Sequence, residues 1–129
     1  MAQTLPELLD ELLRNAATTL EGQKTLRRYD YTINFDVLDG QSFHLDVIGG
    51  EADVQSGESE PKPILVSHNI RGHEATLRDW FDGNVRYSDA IHDKKLYPQA
   101  AHTSKRHIDN WIVKLVRLGQ GKPGLKDLY

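Results

Sequence analysis

Hydrophobic and polar residues alternate along residues 31–48, on both sides of the dipeptide Asp39-Gly40. Alternation at every second position is typical of strands that have one apolar and one solvated face. Glycine suits a turn that requires a positive φ, so the dipeptide predicts a hairpin turn. A lone hairpin is marginal in water, so its apolar face needs further strands and a cover of helices. That face consists of Tyr31, Ile33, Phe35, Val37, Phe43, Leu45 and Val47.

Leucine and alanine residues recur at helical spacing over residues 5–20, opposite a polar side. Thr4 is a suitable N-cap, Glu7 is its partner in a capping box, and Pro6 is tolerated in the first turn. We expect a helix that ends at Gly22. Its leucine stripe should pack against the core of this same chain, because that is the usual role of an amphipathic helix.

Two more strands are predicted after the hairpin. Gly49-Gly50 forms a turn into a weakly alternating third strand that contains Val54. The proline-rich residues 56–63 are expected to form a mobile connection, because proline cannot donate to a sheet ladder. Alternation resumes over residues 64–70. The pattern predicts an antiparallel meander of at least four strands.

Short helices are predicted next, because the apolar spacing changes from strand-like to helical. Residues 75–82 form the first of them, and Gly83 can close it as a left-handed C-cap. Ser88 or Asp89 can cap a second short helix that continues through residues 90–92.

The C-terminal part of the chain is predicted to contain an edge strand and a final helix. Residues 94–97 form the strand, which Pro98 should stop. The helix begins after a cap at Thr103 or Ser104 and ends at Gly119.

Composition describes an ordinary soluble domain of 129 residues, 38% hydrophobic and 27% charged. A net charge of -3 argues against a nucleic-acid partner. The lack of cysteine fits a reducing, cytoplasmic location. We expect neither a signal peptide nor an integral membrane segment, since no apolar run reaches about 18 residues. The prediction is one domain over residues 1–129, with an N-terminal helix in 1–22 and a flexible tail over 120–129.

The histidines do not have the spacing of a metal site. Two pairs, His68 with His73 and His102 with His107, lie five residues apart, whereas ligand pairs on a helix need three or four. There is no HExxH motif and no cysteine to complete a ligand set. We therefore predict no metal.

Motifs of covalent or cofactor chemistry are also missing from the sequence. There is no G-x-S-x-G elbow and no glycine-rich phosphate loop. His44 and Asp46 share the solvated strand face and are expected at the surface. We predict no cofactor and no enzymatic activity. A small enzyme that uses His68 or His92 beside a cavity stays open as an alternative, and it would need a titratable side chain inside that cavity.

One set of large apolar residues comes from the hairpin and from the later elements that must cover it. These residues form either an ordinary packed core or the lining of a dry cavity for an apolar ligand. The candidate ligand-binding residues are Phe35, Val37, Phe43, Leu77, Trp80, Phe81, Ile91, Leu96, Trp111, Ile112 and Leu115.

Several segments carry hydrophobic and glycine positions in a characteristic order: residues 33–40, 43–50, 64–67 and 77–83, then Ala90-Ile91 and Lys95-Leu96. In this order and spacing the chain resembles the sterol carrier protein 2 domain over about residues 20–118. The resemblance implies an α+β fold, in which a largely antiparallel sheet of about five strands is covered on one face by helices. It also implies an apolar tunnel between the layers for fatty acyl chains, sterols or related lipids. No catalytic motif is part of it.

The chain departs from that family before its last helix. Family members commonly have a glycine-lysine-leucine strand and a second glycine, whereas Lys95-Leu96 runs into Tyr97-Pro98 and no glycine follows until Gly119. The departure implies a short fifth strand and a reshaped or closed tunnel mouth.

Together these observations predict a lipid-binding or lipid-transport protein that holds a fatty acyl or sterol-like ligand without covalent chemistry. The alternative is an interaction or accessory domain with a filled-in pocket, which uses its sheet or leading helix to hold either a partner or a second copy of itself as a homodimer. A fully packed interior around both tryptophans would favour that alternative.

Overall fold

The computed structural model describes residues 3–28, 30–57, 66–100 and 108–122. Within these ranges the chain has an α+β fold. Its elements, in chain order, are α1 (Leu5–Ala17), α2 (Leu20–Leu26), β1 (Tyr31–Val37), β2 (Phe43–Ile48), β3 (Glu51–Ser56), β4 (Val66–Gly72), α3 (Glu74–Phe81), α4 (Tyr87–His92), β5 (Leu96–Ala100) and α5 (Ile108–Gly119).

The strands form one sheet in the order β3-β2-β1-β4-β5. All neighbours are antiparallel except β1 and β4, which run parallel with Tyr31 beside Val66. The predicted fold class is confirmed, since five strands form a largely antiparallel sheet. The simple meander is wrong, because β4 crosses to the far side of β1 instead of pairing with β3. Alternation along a strand determines which side chains share a face, but it does not specify the neighbouring strand.

The two hairpin turns differ from each other. Gly49 and Gly50 adopt φ values of 62° and 84°, as expected for the second turn. Gly40 does not adopt a positive φ, so the prediction for the first turn is wrong on this point. There, the Ser42 hydroxyl accepts a hydrogen bond from the Val37 N–H at 3.1 Å, which closes a wider loop.

The N-terminal helical region is two helices instead of one. The capping box at Thr4 is present as predicted, but α1 ends before Gly22. Thr19 caps α2 by accepting a hydrogen bond from the Gly22 N–H at 2.9 Å. Gly22 therefore lies inside α2, where a Cβ atom would stand 1.9 Å from the Ala16 carbonyl oxygen. The break turns Leu20 away from the predicted stripe, and its side chain is 67% exposed.

Helix α3 ends as predicted, whereas α4 begins differently. Gly83 has a φ of 83° and its N–H donates to the Trp80 carbonyl, which makes it the left-handed residue of a Schellman motif. Helix α4 begins at Tyr87, and its N-cap, Arg86, makes no side-chain cap. The predicted caps at residues 88 and 89 are wrong, because both residues lie within the helix.

Proline does not stop the fifth strand. Pro98 lies within β5, beside Ile70 of β4. A proline is acceptable there because β5 is at the edge of the sheet, where one side of the strand needs no N–H donor.

The predicted C-terminal boundaries are partly confirmed. Helix α5 ends at Gly119, as expected, whereas its predicted cap at residues 103–104 lies outside the described ranges. The Gln120 side chain donates to the carbonyls of Trp80 and Phe81, at 2.9 Å each. The first residue of the predicted tail is therefore attached to the end of α3. Residues 123–129 of that tail, residues 58–63 of the predicted connection and residues 64–65 of the predicted fourth strand also lie outside the described ranges.

Candidate functional site

The inner face of the sheet, which the helices cover, holds a group of five contacting aromatic rings. Phe35 stacks on Phe43 with a centroid distance of 4.7 Å, and Phe81 meets Phe35 edge-on at 6.0 Å. Trp80 contacts Phe81 at 5.0 Å and Tyr87 at 4.7 Å. We call these residues the aromatic cluster. It joins β1 and β2 to α3 and α4, and four of its members were candidates from the sequence.

Aliphatic candidates from the later elements lie on the same side of the sheet. Leu96 and Leu77 approach Gly72, where a Cβ atom would stand 2.6 Å from Leu96 Cδ2 and 3.9 Å from Leu77 Cγ. Ile112 and Leu115 of α5 are fully buried, and Ile91 of α4 packs against the core while partly exposed. Burial in one core cluster agrees with the predicted grouping, although burial by itself does not identify a ligand site.

Trp111 lies apart from the aromatic cluster. Its ring packs on Tyr31, the first residue of β1, with a centroid distance of 5.6 Å. Trp111 is partly buried, whereas Trp80 is 3% exposed. The tryptophan at the Tyr31 end of the core is therefore more exposed to solvent than the tryptophan of the aromatic cluster.

Tyr31 has an unusual polar environment. Its side chain is 0% exposed, and its hydroxyl makes no hydrogen bond within the described part of the chain. Burial raises the pKa of the Tyr31 phenol above its ordinary value of 10.0, at which the group is already protonated at neutral pH. A buried hydroxyl without a partner costs about 1–3 kcal/mol. Sequence reasoning placed Tyr31 on the apolar face but did not single it out. The available signal was a hydroxyl-bearing residue at an apolar position.

Three residues of the predicted lining have almost no contact with solvent in this structure. Phe35, Phe81 and Ile112 are at most 1% exposed, so protein atoms surround them on all sides. A ligand that occupies their positions must separate the helices from the sheet, because cores packed at protein density have no spare volume.

Val37, another candidate, borders a surface recess of about 380 Å³. Arg78 lies in the recess and donates to the Gln3 carbonyl and to the Glu74 carboxylate, at 2.8 Å each. Polar groups thus take up much of this lining, which suits an apolar ligand poorly. The complete lining is Gln3, Thr4, Leu5, Pro6, Val37, Gln41, Glu74 and Arg78.

The outer face of the sheet carries buried polar residues, contrary to expectation. His44 is 8% exposed and Asp46 is 9% exposed, so neither is a surface residue as predicted. Thr32 donates to Asp46 at 2.7 Å, and His44 Nδ1 donates to the Gly57 carbonyl at 2.8 Å. Period-2 alternation places these residues on the outer face but does not report whether that face is covered. Their observed bonds tie β1, β2 and the end of β3 together.

The other histidines are distributed between the interior and the surface. His68 is buried on the inner face of β4, in the row of Ile33, while His73 and His92 are exposed. Across the described ranges, no three His, Asp or Glu side chains are grouped so that they could hold a metal ion. Over the same ranges, no helix is both long and apolar enough to cross a membrane.

Comparison with known proteins identifies the fold. No protein-family model and no curated protein sequence matches the chain. Among solved structures, a protein described as a UbiJ-SCP2 ubiquinone synthesis protein aligns with a TM-score of 0.62 and 14% identity, over 88% of each chain. The chain has the sterol carrier protein 2 fold.

Two further structures support this assignment. A sterol carrier protein 2 crystal structure aligns with a TM-score of 0.57 and 15% identity, over 88% of this chain and 93% of the other. The sterol carrier protein domain 2 of Helicoverpa armigera aligns with a TM-score of 0.61 and 13% identity, over 91% of this chain and 88% of the other. At such identities the fold is shared, while function must be argued from the site.

Proposed function

We propose that this protein binds and carries a hydrophobic small molecule, either a fatty acyl lipid or a sterol-like compound, without covalent chemistry. The observation that carries the proposal is the sterol carrier protein 2 fold, with large apolar side chains collected between its sheet and its helices. The ligand would lie along the inner face, against the aromatic cluster and α5. A cysteine-free composition fits a cytoplasmic carrier.

The energetics suit carriage. Burying on the order of 300 Å² of acyl surface at about 25 cal/mol per Å² offers roughly 7 kcal/mol. Restricting the ligand and opening the closed interior reduce that figure. A free energy of about 7 kcal/mol corresponds to a dissociation constant of about 7 μM, so the net affinity should be weaker than that, which permits both loading and release.

The closed interior predicts how loading occurs. The ligand replaces contacts between the helices and the inner face, so the loaded and empty forms differ in the spacing of these layers. The β sheet, held by its ladder of hydrogen bonds, should change least.

Two measurements test the proposal. Native mass spectrometry of the purified protein should show a copurifying lipid. After delipidation, palmitate added at up to tens of micromolar should change tryptophan fluorescence saturably. Separate Trp80→Phe and Trp111→Phe variants assign the change to one end of the interior.

Matched variants relate binding to the inner face. Phe81→Leu, in the aromatic cluster, should weaken palmitate binding while the fold is retained. Leu38→Ala, at a residue that is 50% exposed, should leave binding unchanged. A delipidated wild-type protein with no saturable response to palmitate or to its methyl ester would contradict the proposed function, and equal effects of the two variants would contradict the proposed location.

A further inference from the structure

We propose that Tyr31 is a specificity-determining residue whose hydroxyl donates a hydrogen bond to an uncharged oxygen acceptor on the ligand, such as an ester or quinone carbonyl. This inference rests on the proposed function and names the chemical class of the ligand. It assigns a polar anchor to an inner face on which most of the buried side chains are apolar.

The Tyr31 hydroxyl has no hydrogen-bond partner in the part of the chain that the structure describes. Tyr31 is fully buried, and no described residue accepts a hydrogen bond from its hydroxyl. The contact with Trp111, at 5.6 Å, uses only the ring, so phenylalanine would preserve it. More than about 90% of buried polar groups in proteins have a partner, so an unpaired one calls for an explanation. A ligand acceptor supplies the missing partner.

The position of Tyr31 also fits an anchoring role. Tyr31 begins β1, and Phe35 of the aromatic cluster lies four residues further along the same face. At about 3.3 Å per residue, the two side chains are roughly 13 Å apart along the strand. A ligand bonded to Tyr31 would therefore extend its chain along β1 toward the aromatic cluster. Its polar end would lie beside the partly buried Trp111.

The surroundings favour an uncharged acceptor over a carboxylate. No lysine or arginine is buried within the described ranges, so a buried carboxylate would find no permanent positive charge there. A tyrosine phenol is protonated at neutral pH and is therefore a hydrogen-bond donor, and burial of Tyr31 raises its pKa further from that range. His68 lies on the same face of β4, two residues along from Val66, which pairs with Tyr31.

The test compares ligands that share one hydrocarbon chain but differ in the acceptor. Methyl palmitate, palmitate and hexadecane, each delivered from cyclodextrin, are titrated against the wild type and Tyr31→Phe. We expect the variant to bind methyl palmitate about tenfold more weakly than the wild type does, because it lacks one hydrogen bond. Hexadecane, which has no acceptor, should bind both proteins with the same affinity. The delipidated variant should also unfold at a higher temperature, because it lacks the unpaired hydroxyl.

An infrared measurement reports the bond directly. In the wild type, the carbonyl stretch of bound methyl palmitate should appear at lower frequency than in Tyr31→Phe, because donation to the oxygen weakens the C=O bond. Tyr97→Phe is the matched control. Tyr97 is 50% exposed and its hydroxyl donates to the Lys94 carbonyl, so its replacement should change neither the affinities nor the stretch.

The outcomes separate this inference from the proposed function. If the wild type binds the probes but Tyr31→Phe weakens methyl palmitate and hexadecane alike, or weakens neither, the anchoring role is wrong and carriage stands. If Tyr31→Phe weakens the binding of palmitate more than the binding of methyl palmitate, the ligand acceptor is not uncharged and that part of the inference is wrong. If the wild type binds none of the three probes, the proposed function itself fails, and the anchor fails with it.

Discussion

Individual side chains determine where α1 begins and how the outer face of the sheet is held. Thr4 and Glu7 form the capping box that the sequence predicts, through bonds that depend only on neighbouring residues. Thr32 and Asp46 form a bond across two strands, so their partnership depends on the register of the sheet. Each of the two pairs leads to a prediction.

The capping box should make stability depend on pH in the acid range. The Thr4 backbone N–H, and then the Thr4 hydroxyl, bond to the Glu7 carboxylate and lower its pKa from the usual 4.5. Because the folded pKa is below the unfolded one, this stabilisation is complete above the unfolded pKa and is lost as the pH falls through the folded pKa. The Glu7→Gln variant keeps a hydrogen-bond acceptor at this position but has no titratable carboxyl group there. Its unfolding free energy, measured by urea denaturation, should fall less steeply below pH 5 than that of the wild type; an equal slope would contradict the prediction.

Thr32→Val should destabilise the protein by about 1.5–3 kcal/mol, because it keeps the side-chain shape but removes the hydroxyl that donates to a buried carboxylate. The control is Thr32→Ser, which keeps the hydroxyl and loses a methyl group, at a cost of about 1 kcal/mol. Urea denaturation of both variants measures the difference. If valine were tolerated as well as serine, the bond to Asp46 would contribute nothing to stability.

Helices and strands differ in how much of their arrangement is local. The spacing of apolar residues predicted most of the elements, because period and capping are properties of neighbouring residues. The break at Thr18 was missed, since Leu20 continues the helical period in sequence while the chain turns there. The prediction that Pro98 stops the fifth strand was wrong for a related reason. Whether a strand tolerates proline depends on its place in the sheet, which the local sequence does not specify.

The contact between α1 and α5 requires a glycine at the end of α5. A Cβ atom on Gly119 would stand 2.2 Å from the Leu12 carbonyl oxygen, so the backbones must separate to admit it. We expect Gly119→Ala to destabilise the protein by about 1–3 kcal/mol, as overpacking usually does. The control is Gly40→Ala, where the nearest atom would be Val37 Cγ1 at 3.3 Å. Thermal unfolding should show a clearly smaller loss of stability for Gly40→Ala than for Gly119→Ala. Similar losses would contradict the close approach of α1 and α5 at Gly119.

At the scale of the whole molecule, the main property is a set of large apolar side chains buried between the helices and the sheet, in a fold shared with sterol carrier protein 2. A ligand that binds only the folded state stabilises it by mass action. Lipid at a hundred times its dissociation constant should therefore raise the unfolding free energy by about 2.7 kcal/mol. Urea denaturation of delipidated protein with and without palmitate measures the change. A midpoint that does not respond to palmitate would contradict a site inside the fold.

The candidate site was predicted in part. Period and residue type identified Phe35, Phe43, Trp80 and Phe81, and the structure brings these rings into contact. Tyr31 was not predicted as a site residue, because its unpaired hydroxyl is a property of the folded interior. Whether the candidate residues bind a ligand stays a prediction.

The sequence by itself determined the elements, their apolar faces and the α+β class, since these follow from interactions between residues that are close in the chain. Only the tertiary structure decided that β4 lies parallel to β1, that His44 and Asp46 are buried, and that much of the predicted lining has almost no contact with solvent. Each of these depends on contacts between residues far apart in the chain. Such contacts are determined by the free energy of the complete fold, so no short stretch of sequence specifies them.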